Sequence, residues 1–263
     1  MPEGDTLHRT AATLSRALAG RPLVRVDSAV PEVDRAGLAG HTIEAVEALG
    51  KNLVIRFDDG RMLHTHLRMR GSWHLYRPRE RWWRPAREAR VVLDVGDIVA
   101  VCFAAPTVRL LRATEPAADP RLSKLGPDVV PDAFDGREAV RRLAALGAAA
   151  LGEAIVDQTA LSGIGNIYKS EALFLCRVDP FRTVATYGEG ELAEVVAKAR
   201  SLLRANVSSD RARATRLAPG GRYWVYRRSG RPCFRCGSTI RMRRQGELRR
   251  STYYCPECQT VPE

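Results

Sequence analysis

Residues 233–258 read CFRCGSTIRMRRQGELRRSTYYCPEC, and the cysteines at both ends of this stretch decide the fold of the C-terminal part of the chain. The four residues are Cys233, Cys236, Cys255 and Cys258, in a C-x2-C-x18-C-x2-C pattern. Two pairs at this spacing are typical of a tetrahedral zinc site in a zinc ribbon, a hairpin too small to fold without its metal. A disulfide pair and a redox-active pair are the alternatives, but structural disulfides are rare in the cytoplasm and redox sites seldom carry two such pairs. We therefore predict one structural Zn²⁺.

The composition predicts a globular protein with a polyanionic partner. Of 263 residues, 45% are hydrophobic, and 42 Lys+Arg against 30 Asp+Glu give a formal net charge of +12. Most of the basic residues are arginine, which binds phosphate bidentately, although a GC-rich genome would also favour arginine over lysine. The stretch GSTIRMRRQGELRRST (237–252) between the cysteine pairs holds five arginines and no aromatic residue, which favours a phosphate-binding finger over a merely solvated hairpin. No apolar run approaches the ~20 residues of a membrane span, so we expect a cytoplasmic protein without a membrane partner.

Three regions follow one another along the chain. A first helix has apolar residues at helical spacing, namely Leu7, Ala11, Leu14 and Leu18. Short strands follow, with hairpin turns at Asp59–Gly60 and Gly96–Asp97, and they predict an antiparallel β-sandwich or barrel. Beyond a proline-containing linker the pattern is helical over residues 136–151, 152–161, 165–176 and 190–207. We predict an α+β chain with a β-sandwich domain (1–116), a linker (117–135), a helical domain (136–220) and a zinc finger (221–263).

The stretch LSGIGNIYKSE (161–171) joins two of the predicted helices. Gly163 and Gly165 flank Ile164, and Asn166 opens the helix that runs through Glu171. Glycines let a ligand approach the backbone closely, and a helix N-terminus presents N–H groups to an anion. The junction is therefore a candidate grip for DNA phosphate, with a simple helix cap as the alternative.

A strand end in the β region holds the sequence Arg68-Met69-Arg70. A long apolar side chain between two arginines suits a wedge that enters a base stack. An ordinary exposed turn would have the same composition. The residues alone do not decide between these two interpretations.

The N-terminus pairs an imino acid with a carboxylate. Removal of the initiator methionine would make Pro2 the first residue, a secondary amine beside Glu3. A frayed terminus with a charge near a helix start is the alternative. Lys51, one of few lysines, follows Gly50 at the start of a strand, where chance explains it as well as function does.

Together these residues resemble the formamidopyrimidine-DNA glycosylase/endonuclease VIII family over the whole chain. The motifs are PEG at the mature N-terminus, GK before the second strand, DQTALSGIGNIYKSE in the helical region, WVYRRSGRPC before the zinc ribbon and RRSTYYCPECQ within it. The resemblance implies a β-sandwich with an N-terminal helix, a helix-two-turn-helix domain and a C-terminal zinc finger. It implies a bifunctional DNA glycosylase/AP lyase of base excision repair, which acts on damaged DNA as a monomer associated with the nucleoid.

The resemblance also implies catalytic roles. In this family the nitrogen of the N-terminal proline is the nucleophile, and an α-amino group with a reference pKa of ~8 is neutral in useful amounts at pH 7. We expect Pro2 to form a Schiff base at C1′, Glu3 to donate and relay protons, and Lys51 to grip phosphate beside the lesion. β,δ-Elimination then cleaves the strand.

The same mapping assigns the DNA contacts. The implied DNA-binding residues are Asn166, Arg250, Gly163 and Gly165. The implied residues that fill the hole left by the everted nucleotide are Arg68, Met69 and Arg70.

The N-terminal PEGDT and the downstream segments resemble endonuclease VIII and its actinobacterial relatives more than the formamidopyrimidine enzymes, whose N-terminus typically reads PELPE. This favours oxidised pyrimidines as substrates. An oxidised-purine glycosylase of the same family is one alternative, and a non-catalytic zinc-ribbon DNA-binding protein is the other. A degenerate member of the family is expected to lack Pro2, Glu3 or Lys51, and this chain has all three.

Overall fold

A computed structural model describes residues 2–112, 119–208 and 212–260, and the chain divides into two units, Met1–Ser123 and Lys124–Glu263. Residues 117 and 118 of the predicted linker lie outside the described part. The predicted domain boundaries near residues 116, 135 and 220 stay predictions. Within the described ranges, none of the helices has the length and apolar character needed to cross a membrane.

The first unit packs a helix on two antiparallel sheets. Its elements are α1 (Gly4–Leu18), β1 (Arg21–Pro22), β2 (Arg25–Ser28), α2 (Pro31–Asp34), β3 (Thr42–Leu49), β4 (Asn52–Phe57), β5 (Arg61–His66), β6 (Ser72–Tyr76), β7 (Ala89–Asp94), β8 (Val99–Phe103), β9 (Thr107–Arg112) and α3 (Pro120–Ser123). The sheets have the strand orders β1-β3-β4-β5-β9 and β2-β7-β8-β6. Leu14 of α1, Phe57 of the first sheet and Leu93 of the second belong to one buried core. The predicted β-sandwich with an N-terminal helix is confirmed.

Both predicted hairpin turns are present because their glycines supply the left-handed backbone that the turns need. Gly60 has φ 80° in the β4–β5 turn, where Asp59 also accepts a hydrogen bond from the Arg61 N–H at 3.0 Å. Gly96 has φ 101° in the β7–β8 turn and donates to the Asp94 carboxylate at 2.8 Å.

The segment between β6 and β7, residues 77–88, runs back across the outer face of the second sheet. Strands β6 and β7 each pair antiparallel with β8. They are therefore parallel to each other and need a crossover connection. Trp82 of this crossover segment packs on Phe103 with ring centroids 5.7 Å apart, and Tyr76 lies beside it. A 3-10 turn at Ala86–Glu88 then leads into β7.

The second unit is helical with a C-terminal hairpin. Its elements are α4 (Gly136–Ala144), α5 (Leu151–Ala154), α6 (Asn166–Leu175), a 3-10 turn (Val184–Thr186), α7 (Glu189–Val207), β10 (Arg241–Gln245) and β11 (Arg250–Tyr254). The helices share one buried core. The hairpin carries the cysteine pairs and packs on α6, because Phe174 of α6 and Cys255 lie in the same apolar cluster. The C-terminal four-cysteine module is compatible with the predicted zinc finger.

The helix predicted over residues 152–161 is mostly wrong. Only α5 is helical there, because the Asp157 carboxylate accepts from both the N–H and the hydroxyl of Thr159 at 2.8 and 2.7 Å. Such a local turn competes with the helical hydrogen bonds. Gly152 is also held by Pro180, whose carbonyl accepts its N–H at 2.8 Å.

Two cysteines lie outside the finger. Cys102 is fully buried in the sandwich core, and burial raises the pKa of its thiol. Burial also raises the pKa of Cys176 to about 11. Cys102 is therefore a core thiol, and Cys176 is a partly buried thiol that packs against the helical core.

Candidate functional site

Pro2 and Glu3 lie at the N-terminal end of α1. Glu3 is the residue that precedes the helix, with extended backbone, and its carbonyl accepts the Thr6 N–H at 2.9 Å. Its side chain is completely buried, which is unusual for a carboxylate. Pro2 is partly buried beside it. The terminus is therefore packed into the fold where the sequence alone would allow it to fray.

Helix α1 brings this terminus to the Lys51 turn. Its C-terminal end meets the start of β3, since the Gly20 N–H donates to the Ile43 carbonyl at 2.7 Å. The helix packs along β3, and their lengths match, about 22 Å for the helix and about 26 Å for the strand. This packing directs the N-terminus of α1 towards the end of β3, where Gly50 and Lys51 turn the chain into β4.

The Lys51 turn is held in place by a buried polar pair. Gly50 adopts φ 60°, and Asn52 donates to the Leu49 carbonyl at 3.0 Å across the turn. The Asn52 side-chain oxygen lies 2.9 Å from Nε2 of His64 on β5. Lys51 itself is partly exposed at the tip. The lysine is therefore presented from a rigid support.

The turn after β5 lies at the same edge of the sheet. Leu53 pairs with Thr65, so the end of β5 is beside the start of β4. In the turn, Arg68 has φ 49° and Met69 is 64% exposed. A Cβ at Gly71 would lie 2.5 Å from the Leu67 carbonyl oxygen, so the turn closes only with glycine there.

The first unit thus gathers the predicted catalytic and void-filling residues at one edge. Pro2 and Glu3 arrive from α1, Lys51 from the β3–β4 turn, and residues 68–70 from the β5–β6 turn. A buried carboxylate is suited to proton transfer, a partly exposed lysine to phosphate binding, and an exposed apolar tip between arginines to insertion into stacked bases.

In the second unit, the glycine junction is held by Gln158. Gly163 has φ 102°, which a glycine adopts freely, and donates to the Gln158 side chain at 3.1 Å. Gln158 in turn donates to the Ile164 carbonyl at 3.2 Å. Gly165 precedes α6, and Asn166 is its first residue, as predicted. Among the described residues, none donates a hydrogen bond to the buried side-chain oxygen of Asn166.

Two charged residues of α6 are fully buried, and sequence reasoning missed both. Glu171 accepts the N–H groups of Trp224, Val225 and Tyr226 at 2.8, 2.9 and 2.8 Å, and also the Thr215 hydroxyl. Burial raises the pKa of Glu171, while these four donors act in the opposite direction. The available signal was that most of the other residues of α6 are apolar or aromatic and are spread around the helix, which marks a buried helix.

Lys169 is the second buried charge, and its ammonium group donates to the Thr252 hydroxyl at 2.7 Å. A cleft of about 510 Å³ has Gln158, Lys169 and Arg250 in its lining. Arg250 is the first residue of β11, and Thr252 follows it on the same strand. The structure therefore brings the helix junction and the predicted finger arginine to one cleft.

The four predicted metal ligands converge. The Sγ atoms of Cys233, Cys236, Cys255 and Cys258 all lie within 4.8 Å of one another. The Cys236–Cys255 and Cys233–Cys258 pairs are 3.4 and 3.9 Å apart, and a tetrahedron with Zn–S bonds of about 2.3 Å has edges of about 3.8 Å.

The surroundings act differently on the four sulfurs: burial raises the pKa of Cys255 to about 11 and also raises the pKa of Cys258. The N–H groups of Arg235 and Cys258 donate to Cys233 and Cys255 at 3.4 and 3.5 Å. A hydrogen bond from Ser238 lowers the pKa of Cys236 to about 6. The residues present fit a divalent soft-ligand metal such as zinc.

The sequence matches two family models. The model of the formamidopyrimidine-DNA glycosylase N-terminal domain matches residues 1–107, and that of the formamidopyrimidine-DNA glycosylase H2TH domain matches residues 125–216. Probable endonuclease 8 2 of Streptomyces coelicolor is 41% identical over 265 residues, covering 100% of this chain and 95% of the relative. DNA-(apurinic or apyrimidinic site) lyase Nei2 of Mycolicibacterium smegmatis is 37% identical over 263 residues, covering 99% and 100%.

Solved structures share the fold. The formamidopyrimidine-DNA glycosylase of Lactococcus lactis, bound non-covalently to DNA containing an AP site, superposes with a TM-score of 0.81 at 21% identity, covering 98% of this chain and 99% of that one. MutM in complex with DNA containing carbocyclic 8-oxo-G superposes with a TM-score of 0.83 at 22% identity and the same coverage.

Proposed function

The chain belongs to the formamidopyrimidine-DNA glycosylase/endonuclease VIII family, and from this membership we propose that it is a bifunctional DNA glycosylase/AP lyase of base excision repair. The observation that carries the proposal is the arrangement of Pro2, Glu3 and Lys51 at one edge of the first unit. Relatives that are 36–41% identical are named endonuclease 8 or DNA-(apurinic or apyrimidinic site) lyase.

The Pro2 nitrogen is the nucleophile in this proposal. Its lone pair attacks C1′, the bond from C1′ to the damaged base breaks, and the sugar ring opens to an iminium. The iminium of a secondary amine is a permanent cation, so it accepts the electron pair released when the C2′ proton is removed. β-Elimination breaks the bond from C3′ to the phosphate oxygen, and δ-elimination on the 5′ side follows.

Glu3 moves the protons. Its burial at the start of α1 fixes the carboxyl next to the nucleophile, which supports a role as proton donor and relay at the sugar. Lys51 stands at the same edge and neutralises a phosphate next to the lesion.

The second unit supplies further DNA contacts. Gly163, Gly165 and Asn166 form the phosphate site at the N-terminus of α6, where backbone N–H groups and the side-chain NH₂ of Asn166 are the donors. Arg250 binds a second phosphate from the finger. When bound, Zn²⁺ supplies structural cross-linking of the four cysteines and no chemistry.

Oxidised pyrimidines are the favoured lesions, because the relatives named above belong to the endonuclease 8 branch. The second candidate is an oxidised purine, since the structural neighbour MutM was crystallised with 8-oxo-G DNA, although identity near 22% supports the fold alone. We place the protein in the cytoplasm, on the nucleoid, as a monomer.

Borohydride reduction tests the covalent step. With DNA containing one abasic site, reduction is expected to link the protein to DNA through Pro2, as located by mass spectrometry of the N-terminal peptide. A tag left in front of Pro2 turns its nitrogen into an amide that cannot attack, so it should abolish trapping. A C-terminal tag is the matched control and should leave trapping intact. An adduct on Lys51, or full trapping by the N-terminally blocked protein, would contradict the assignment.

A panel of oligonucleotides separates the substrate candidates. Each carries one defined lesion, thymine glycol or 8-oxoguanine, and is incubated with untagged protein. Faster excision of thymine glycol supports the pyrimidine branch. Faster excision of 8-oxoguanine overturns it while leaving the lyase proposal in place.

A further inference from the structure

Trp83 is 87% exposed, although it lies in an ordered connection. Its backbone N–H donates to the Tyr76 hydroxyl at 3.1 Å, and its ring centroid is 6.1 Å from that of His74. The neighbouring Trp82 already covers the apolar cluster on the outer sheet face, packing against Phe103 at 5.7 Å. Core packing therefore accounts for one tryptophan of the pair and leaves a flat aromatic face in water.

The crossover segment is fastened to the turn that carries Met69. Arg84, the residue after Trp83, donates to the Arg70 carbonyl at 2.8 Å and to the Ser72 hydroxyl at 2.9 Å. Arg84 also pairs with Glu88, which fixes its direction. The backbone that carries Trp83 is thus anchored through the neighbouring Arg84 to the turn of residues 68–70, on the same unit.

The charge around Trp83 is positive. The crossover segment reads RPRERWWRPARE, with five arginines and two glutamates. Glu88 forms an ion pair with Arg84. The other charged residues of the segment are one glutamate, Glu80, and four arginines, namely Arg77, Arg79, Arg81 and Arg87. An exposed ring among arginines is the composition of surfaces that stack unpaired bases and bind their phosphates.

We propose that Trp83 is a base-stacking site for single-stranded DNA, with the arginines of the crossover segment binding the adjoining phosphates. The inference rests on the proposed function in one respect, that DNA passes the turn of residues 68–70. Proximity to that turn favours nucleic acid over an acidic peptide. The proposed site would let the protein engage lesions where the strand next to the turn is already unpaired.

Binding of lesion-free DNA tests the site without any chemistry. The probe is a single-stranded 12-mer with 2-aminopurine at its centre, whose fluorescence falls when the base stacks. W83A should weaken binding about tenfold, and W83F, which keeps an aromatic face, much less. Val24, 64% exposed on the same unit, provides the control V24A, which should bind like the wild type.

Salt dependence separates stacking from charge. The loss in W83A should be the same factor at low and moderate salt, because stacking releases no counterions. R81Q should instead lower the slope of log K against log salt by about 0.7, the value for one phosphate of a single strand. Thermal unfolding of each variant checks that the fold is kept.

Three outcomes would overturn the proposal. W83A could bind the single strand as tightly as the wild type does. The loss of affinity in W83A could disappear at moderate salt. Finally, Trp83 could be needed only for binding a decapeptide rich in glutamate. The last outcome would assign the surface to a protein partner. Failure of borohydride trapping at Pro2 is independent, because it would refute the lyase and leave this binding test intact.

Discussion

The ammonium group of Lys169 donates to the Thr252 hydroxyl at 2.7 Å, and both residues are completely buried. The bond joins the first turn of α6 to strand β11 across 83 positions of sequence. The series of hydrogen bonds continues beyond Thr252. Its hydroxyl donates to the Gln245 side chain, which in turn donates to the Pro180 carbonyl at 2.9 Å. The finger is therefore fixed to the helices by a buried polar chain.

From this series of hydrogen bonds we predict that Lys169 positions the phosphate-binding groups of α6 and of the finger relative to each other. K169M keeps the length of the side chain and removes the charge, so stability should change little while DNA binding weakens. The measurement is a double-mutant cycle with R250A on undamaged duplex DNA, where we expect a coupling of about 1 kcal/mol. K198M, a partly exposed lysine on α7, is the control and should give no coupling. Strict additivity of K169M and R250A would contradict a shared grip.

Glu171 should be important for stability at neutral pH. E171Q leaves one acceptor oxygen. When that oxygen keeps the N–H groups of Val225 and Tyr226, the new NH₂ group faces the Trp224 N–H, which loses its acceptor. We expect the free energy of unfolding to fall by about 3 kcal/mol, measured by denaturant titration. T215V removes a single donor and should cost less than half as much. Equal losses in the two variants would show that the backbone contacts contribute little.

The pH dependence of this effect has a defined sign. Burial raises the pKa of Glu171 above its unfolded value, so the folded protein holds the proton more tightly. The stability from this group is then fully present below the unfolded carboxyl pKa of about 4.3 and is lost as the pH rises through the folded value. The wild type should lose stability relative to E171Q over that range. The opposite trend would mean that the four hydrogen bonds outweigh burial.

The four-cysteine cluster predicts one equivalent of zinc in the purified protein, measured by atomic absorption. C255S should reduce metal content, destabilise the finger and weaken DNA binding, with much less effect on unfolding of the first unit, because the four ligands and their packing all lie in the second unit. C102A, a buried thiol of the first unit, should leave zinc unchanged. A metal-free wild type with full activity would exclude the zinc assignment.

Arg250 predicts a sequence-independent contribution to DNA affinity. Because a phosphate contact carries no base code, R250A should weaken binding to unrelated duplexes by similar factors. The slope of log K against log salt should become shallower by ~0.9, the share of one phosphate of a duplex. E247A, at a nearby position of the hairpin, should not flatten the slope. An affinity that scarcely depends on salt even in the wild type would argue against the DNA assignment as a whole.

Sequence reasoning succeeded where the information is local. The hairpin turns need glycine at Gly60 and Gly96, and the first helix shows its buried face by spacing alone. The cysteine ligands are equally visible, because the pairs are short motifs. These elements are specified within a few residues of one another.

Long-range contacts explain what sequence reasoning missed. Lys169 and Glu171 look like surface charges in the string NIYKSEALFL, and they are buried only because Thr252 and the backbone of residues 224–226 reach them. The helix expected over residues 152–161 fails because Asp157 caps its own turn and Pro180 holds Gly152. Trp83 is distinguished from Trp82 only by the path of the crossover segment.

The burial of Cys102 and Cys176 has a practical consequence. Thiol-modifying reagents react with thiolate, and burial raises the pKa of both thiols, enclosing Cys102 completely and Cys176 in part, while a bound metal would protect the finger cysteines. Oxidants that damage bases would therefore react mainly with the finger cysteines of molecules that have lost their metal ion. A colorimetric count of reactive thiols on the folded protein then reads directly as the fraction of molecules without metal.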